Sequence, residues 1–465
     1  MSNDKSGFAY QAVYQYLTTL IGQPPDGTPQ KLPSLRHLAQ RLGVSISTIQ
    51  TAYSLLENEG RVYSVPKSGY FASELPETEA SEREHDLLHR MHLQANRPDM
   101  LVLSRGEPSS LISLEGPLLT VERELMRQYP SKPGRSRQPC GELELRTALA
   151  ARYTCSAERH WCADDVYIGA DVRAVLETLC AAMELAGSAV LVASPCSWLV
   201  LQTLQAAGLR VIELPLCAAG TLDLQVFGQL LSEEPVALVL LCSRVSSPHG
   251  SLMPEADRRA IAELLALHGV WLLENDLDGE FCFAEHPGER LRELVDPQRL
   301  LVFSSLEKII GAEAPYGFLL SRHFRSQLQR HFLQRSFRLP PIRQRAIARL
   351  FRKGLVDPHL HQLRRLLQTR LHGFGQQLRE QAGDYLTISP PQGGSTLWAQ
   401  LTHPTDPRRL FERLLQHKIV VAPGEIFSLQ GWHQQCLRLG FPLDDRQDVQ
   451  AALKSLAEAL RQARL

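Results

Sequence analysis

The chain has 465 residues, of which 44% are hydrophobic and 22% charged. These values exclude a disordered chain and allow a large core beside a small second domain. Fifty Lys and Arg balance fifty Asp and Glu, which excludes a protein that condenses nucleic acid in bulk but not a small module that reads it with local charge.

The nine cysteines are scattered without a C-x-x-C, so they read as buried, reduced thiols and give no zinc-site spacing; no metal is expected. No run approaches ~20 apolar residues, and Met1 to Lys5 lacks the apolar segment of a signal peptide, so a cytoplasmic protein with no membrane contact is expected.

Helical spacing of Ala9, Val13, Tyr16, Leu17 and Leu20 predicts a first helix over Phe8 to Ile21. Ser34 is a good N-cap for a short helix with Leu35, Leu38, Ala39 and Leu42 on one face, ended by Gly43. Ser45 caps a longer helix from Ile46 to Asn58, with Ile49, Ala52, Tyr53 and Leu56 inward and Gly60 at its end. Arg61 to Val65 and Gly69 to Ala72 are β-like runs around Pro66-Lys67-Ser68. Helix, short helix, turn, longer helix and hairpin make the layout of a winged helix-turn-helix. Ser45, Ser47, Thr48, Gln50 and Thr51 fall on the outer face of its second helix, where hydroxyls and an amide reach base edges and phosphates. Ser34, Arg36, Arg41, Arg61, Lys67 and Gly69 complete the candidate DNA contacts. The sequence from Leu32-Pro33-Ser34-Leu35-Arg36 through Gly43-Val44-Ser45-x-Ser47-Thr48 to Ser68-Gly69-Tyr70-Phe71 resembles the GntR family of bacterial regulators.

Residues 73–98 read as a linker, acidic at Ser73 to Glu79, with a helix expected over His85 to Ala95. From residue 99 to 465, β-like runs alternate with helical stretches. Strands are expected at Val166-Ile168, Ala189-Ala193, Arg210-Leu214, Ala237-Cys242, Val270-Glu274, Leu300-Phe303 and Gly317-Leu320. Such near-continuous apolar strands predict an α/β fold with a mostly parallel sheet between helices. An Arg-rich helical region spans Arg322 to Gln381, and a smaller α+β C-terminal subdomain is expected from about residue 370. Those arginines read either as a solvated face or as a contact with flanking DNA.

Several pieces follow in a telling order: Pro139-x-Gly141-x-x-x-Leu145-Arg146, Pro195-Cys196-Ser197-Trp198, Ser247-Pro248, Glu274-Asn275-Asp276, Ser304 to Lys308, and Ala422-Pro423-Gly424 before Leu437-Arg438. They resemble the fold-type I aminotransferases, and with the GntR-like head the chain resembles the MocR subfamily. The resemblance implies pyridoxal 5'-phosphate (PLP) as cofactor. Lys308 stands at the Schiff-base position, Trp198 at the ring-stacking one, and Ser247 and Asn275 beside the ring. Arg438 matches the arginine that clamps an amino acid's carboxylate. Three positions depart from the family: Asn275 replaces the Asp that keeps the ring nitrogen protonated, Leu277 and Asp278 occupy the possible positions of the Tyr that bonds the ring hydroxyl, and Ala314-Pro315-Tyr316 lacks the phosphate-binding Arg. Ser305 and Arg173 remain as phosphate partners, while Asp171 puts negative charge at a helix start that would cradle phosphate.

The resemblance implies a homodimer on an operator of double-stranded DNA, whose aminotransferase-like body senses a small effector, PLP or amino-acid-like, without productive transamination. Two alternatives are an active PLP-dependent aminotransferase carrying a DNA-binding head, and a body that only dimerises the head.

Overall fold

The computed structural model describes residues 13–14, 16–17, 31–58, 62–65, 69–72, 87–128, 138–217, 220–335, 337–442 and 449–463. They fall into two compact units, residues 1–90 and 91–465.

In the first unit, the helix Leu35–Leu42 starts where Ser34 Oγ accepts the amide N–H of His37. It ends at Gly43, whose φ of 66° is a left-handed conformation that costs glycine little. In the helix Ile46–Asn58, the Thr48 amide donates to Ser45 Oγ at 3.1 Å. The strands Val62–Val65 and Gly69–Ala72 form an antiparallel hairpin with Val62 opposite Ala72. Leu38, Ile49, Ala52, Tyr53 and Leu56 close a core with Val13 and Leu17; each fully buried large side chain contributes ~1.5–3 kcal/mol. The Tyr53 hydroxyl donates to the Pro33 carbonyl at 2.6 Å and joins the two helices. Most of the expected first helix, with Arg61 and Lys67, lies outside the described residues.

The second unit is built on seven strands: β1 (Val166–Ile168), β2 (Ala189–Ser194), β3 (Arg210–Pro215), β4 (Val236–Cys242), β5 (Trp271–Asn275), β6 (Leu300–Ser305) and β7 (Gly317–Ser321). They lie in the order β1-β7-β6-β5-β4-β2-β3. All pairings are parallel except those of β7, which runs antiparallel to both neighbours. Alternate residues supply two cores: Val190, Leu240, Leu273 and Phe303 face one, and Leu191, Val239, Leu272 and Val302 the other. This is the mostly parallel sheet expected from the apolar runs. A second sheet in the C-terminal part pairs Thr396–Leu401 with Cys436–Gly440.

Some expectations shift. The helix expected over His85 to Ala95 is present over Leu87–Ala95, and residues 85 and 86 lie outside the described residues. The Arg-rich region is three helices, Arg325–Arg335, Pro341–Arg352 and Val356–Ala382. The last passes through residue 370, so the subdomain start expected there falls inside a helix. All nine cysteines are free, but Cys155, Cys162 and Cys217 are exposed rather than buried, because they sit in irregular segments between helices and strands. Among the described residues, no helix is long and apolar enough to cross a membrane, and no group of three His, Cys, Asp or Glu is placed to hold a metal.

Candidate functional site

Two sites follow from these folds. On the head, Ser47, Gln50 and Thr51 are exposed on the helix Ile46–Asn58, Ser45 is exposed just before it, and Thr48 is half-buried. Their hydroxyls are not equally free. Ser45 Oγ lies 2.8 Å from Ser47 Oγ and 2.7 Å from Thr48 Oγ1, and Thr51 donates to the Ser47 carbonyl at 3.0 Å. Ser45 therefore caps and Thr51 bonds its own helix, which leaves Gln50 the most available side chain for an outside partner. Arg36 is exposed on the preceding helix. Gly69 opens the second hairpin strand at φ 109°, where a side chain would strain the backbone.

On the body, a cavity of about 310 Å³ opens at the carboxyl ends of β5 and β6. It is lined by Trp198, Ser247, Asn275, Ser305, Lys308 and Arg438, six residues from five separate segments of the chain. The alternation of β5 puts Asn275 on the cavity face. It puts Asp276 on the other, where Asp276 accepts from the Tyr153 hydroxyl at 2.6 Å and lies 3.0 Å from Arg292. Arg292 also bonds buried Glu274 at 2.5 Å, so this charge cluster supports the strand end from behind. Asn275 Oδ1 accepts the Leu277 amide N–H at 3.1 Å. Ser305 Oγ accepts the Glu307 amide N–H at 3.1 Å. Trp198 starts the helix Trp198–Ala206, and its ring meets His92 edge-on at 5.2 Å.

Lys308 Nζ donates to Asp278 Oδ1 at 2.6 Å, and that carboxylate is nearly buried. Arg438, on the strand Cys436–Gly440, donates to the Ser104 carbonyl and lies 5.1 Å over the Phe427 ring. Its Nε is buried with no partner. Burial pushes the Arg438 guanidinium down, against the opposing charges of Glu107 and Asp278. Glu107 and Glu307 stand exposed at the cavity rim. The Glu307 carboxyl is pushed up by desolvation first, then by Glu107, with Lys308 opposing and Asp171 adding to the rise.

Arg173 departs from expectation. It is exposed on the first turn of the helix Val172–Ala182 and does not line the cavity. The cap of that helix explains part of this: Asp171 Oδ1 takes the Ala174 amide N–H at 2.7 Å, and Arg173, two residues on, is turned to solvent. Sequence reasoning missed Glu107, Arg105, His92 and Phe427, which line the same cavity. Nothing in the local pattern marks them, because the fold brings them there from distant segments.

The two folds define a helix-turn-helix transcription regulator with an aminotransferase-like body. Residues 98–456 match the family described as aminotransferase class I and II, and residues 9–71 match the bacterial regulatory proteins of the gntR family. The chain thus belongs to the class I and II aminotransferase family through its body and carries a gntR-family head, the make-up of the MocR-type regulators. It is 28% identical to the HTH-type transcriptional regulator YjiR of Escherichia coli, over 97% of this chain and 99% of that one. It is 24% identical to the probable rhizopine catabolism regulatory protein MocR of Rhizobium meliloti, over 92% and 89%. Its fold is similar to LysN, an alpha-aminoadipate aminotransferase of Thermus thermophilus solved with N-(5'-phosphopyridoxyl)-L-leucine, at a TM-score of 0.73 and 20% identity over 84% and 99% of the two chains.

Proposed function

We propose that this regulator is an effector-responsive, cytoplasmic homodimer. The head, residues 1–72, reads an operator through Gln50, Ser47 and Arg36, with Ser34, Ser45, Thr48, Thr51 and Gly69 shaping the surface and Arg61 and Lys67 adding charge. Residues 73–98 link it to the body, residues 99–465, which dimerises and holds a small ligand in the cavity. Two heads on one two-fold body would read two half-sites. A ligand that prefers one arrangement of the body shifts operator affinity by its differential affinity for the two.

The observation that carries the reading is the Lys308–Asp278 ion pair beside Asn275. A Schiff-base lysine must have its amine free to attack, whereas here Nζ is engaged by a nearly buried carboxylate that it would have to leave first. Charge-assisted bonds of this kind contribute about 1.5–3 kcal/mol. The residues present do not fit PLP. An amide at 275 cannot hold a proton on a ring nitrogen by charge. Asp171 already caps the helix whose N-terminus would meet a phosphate, Glu307 stands at that rim, Pro315 replaces the arginine, and Arg173 lies outside. Such a cavity favours binding over turnover.

The test is a titration of the purified dimer with its own upstream DNA, followed by addition of PLP and amino acids with an assay for oxoacid. The reading expects DNA binding and no oxoacid. Oxoacid release with a visible absorbance band that disappears in Lys308→Ala would establish the alternative, an active aminotransferase with a DNA-binding head.

A further inference from the structure

We infer that Arg105 and Asn96 form a latch between the body cavity and the helix Leu87–Ala95, through which a group bound in the cavity and DNA bound at the head influence one another. This rests on the reading of the chain as an effector-responsive regulator and names the contact that carries the response.

The helix lies where such a latch must act. It is the first described element after the hairpin strand Gly69–Ala72, so the covalent path from head to body runs through it. The boundary between the two compact units falls inside it, after Arg90. Its buried residues, Leu87, Met91 and Ala95, make one stripe at i, i+4 and i+8, and Leu93 is 56% exposed on the opposite side. Met91, His92 and Ala95 line the cavity. One narrow stripe is a light hold on a helix, which suits an element that has to shift.

Just past the helix end, Arg105 Nη2 donates to Asn96 Oδ1 at 2.7 Å. The backbone that carries Arg105 is a fixed post. The Leu103 amide donates to the Val420 carbonyl at 2.8 Å, the Gly440 amide donates to the Leu103 carbonyl at 2.7 Å, and Ser395 Oγ donates to the Gly106 carbonyl. Arg105 itself lines the cavity, and among the described residues it has no salt bridge. Its acceptor is a neutral amide, whereas a guanidinium bonds more strongly to an ionised acceptor. An anionic group in the cavity therefore draws Arg105 away from Asn96 and releases the helix end. On the same helix, the His92 ring meets Trp198 edge-on at 5.2 Å, so a shift of the helix changes the surroundings of a cavity-lining indole. Coupling between two sites is reciprocal, and DNA at the head reaches that indole by the same route.

The experiment titrates the full-length protein, with no small molecule added, into its own upstream duplex, following anisotropy for DNA binding and indole emission for the cavity. Asn96→Ala and Arg105→Ala should each change operator affinity at least about threefold in the same direction, and the double variant should do no more than either alone. Asn96→Asp, which gives Arg105 a carboxylate, should shift affinity in the opposite direction. Arg105→Ala should abolish that shift, which simple repulsion between the added charge and DNA would not do. Arg97→Ala, whose bonds go to Gln94 and Asp99 instead, should behave as wild type. In wild type, duplex binding should change the emission that disappears in Trp198→Phe, and Asn96→Ala should lose that change. Additive effects of the two alanine variants, or operator affinity and emission left unchanged by Asn96→Ala, overturn the inference while leaving the regulator reading in place. If the wild-type protein binds no duplex, both fall together.

Discussion

The hydroxyl of Tyr53 is the most economical place to perturb the head. It is fully buried and donates at 2.6 Å to the carbonyl of Pro33, the residue before the Ser34 cap. Burial pushes its phenol well above the usual range, with the rings of Tyr70 and Tyr16 adding to the effect, so it is a donor at any working pH. Tyr53→Phe keeps the ring, and with it the 4.4 Å contact to Tyr70, but leaves the carbonyl without its donor. Pro33 is only half-buried, so leaving its carbonyl without the donor costs about 1–2 kcal/mol, the lower part of the range for a stranded acceptor. In a unit this small the urea slope is near ~1 kcal/mol/M, so the head transition should fall by about 1–2 M urea. Operator binding by the intact protein, followed by anisotropy across a urea series, reports the head over the range in which a body signal such as near-UV circular dichroism is unchanged. An unchanged midpoint would refute the claim that this bond sets the geometry of the two helices.

Glu274→Gln breaks a fully buried pair with Arg292. Arg292 keeps Asp276 at 3.0 Å as a partner, so the cost stays below the about 3–5 kcal/mol of a fully stranded buried charge, and the body Tm by calorimetry should fall by less than about 5 °C. Burial pushes His249 and His433 below the ordinary imidazole range, the charge of His433 adding to the effect on His249 and that of Glu213 opposing it at His433. The folded state therefore favours their neutral forms, so their contribution is present above ~6.5 and is lost as pH falls through that value towards the depressed folded values. Urea melts at pH 7.5 and 5.5 should show the loss, and His433→Asn, which tolerates the φ of 62° there, should reduce it. On DNA, Gln50→Ala should cost about 1–3 kcal/mol at one base position, whereas Arg36→Ala should weaken all duplexes alike and reduce the salt slope by ~1.

What the sequence made legible was whatever periodicity or order encodes. The seven body strands showed as apolar runs because both faces of the sheet are covered. The head showed through its caps, Ser34 and Ser45, and its Gly43 stop. Asn275 was picked out by the resemblance, and strand alternation separates it from Asp276 on the opposite face. The ion pair of Lys308 with Asp278 was not legible, since thirty residues and a strand crossing separate them. Nor was Glu107, brought to Arg438 from the far end of the body. Arg173 was misplaced because a one-residue difference on a helix start decides between cavity and solvent.

The most direct measurement compares the intact protein's affinity for its own upstream duplex with that for a scrambled duplex at about 0.15 M salt, alongside an oxoacid assay on the same preparation. The account predicts that the native duplex binds about 10³-fold more tightly or better and that amino acids are not consumed. Equal affinity for both duplexes, with steady conversion of amino acids to oxoacids, would contradict it.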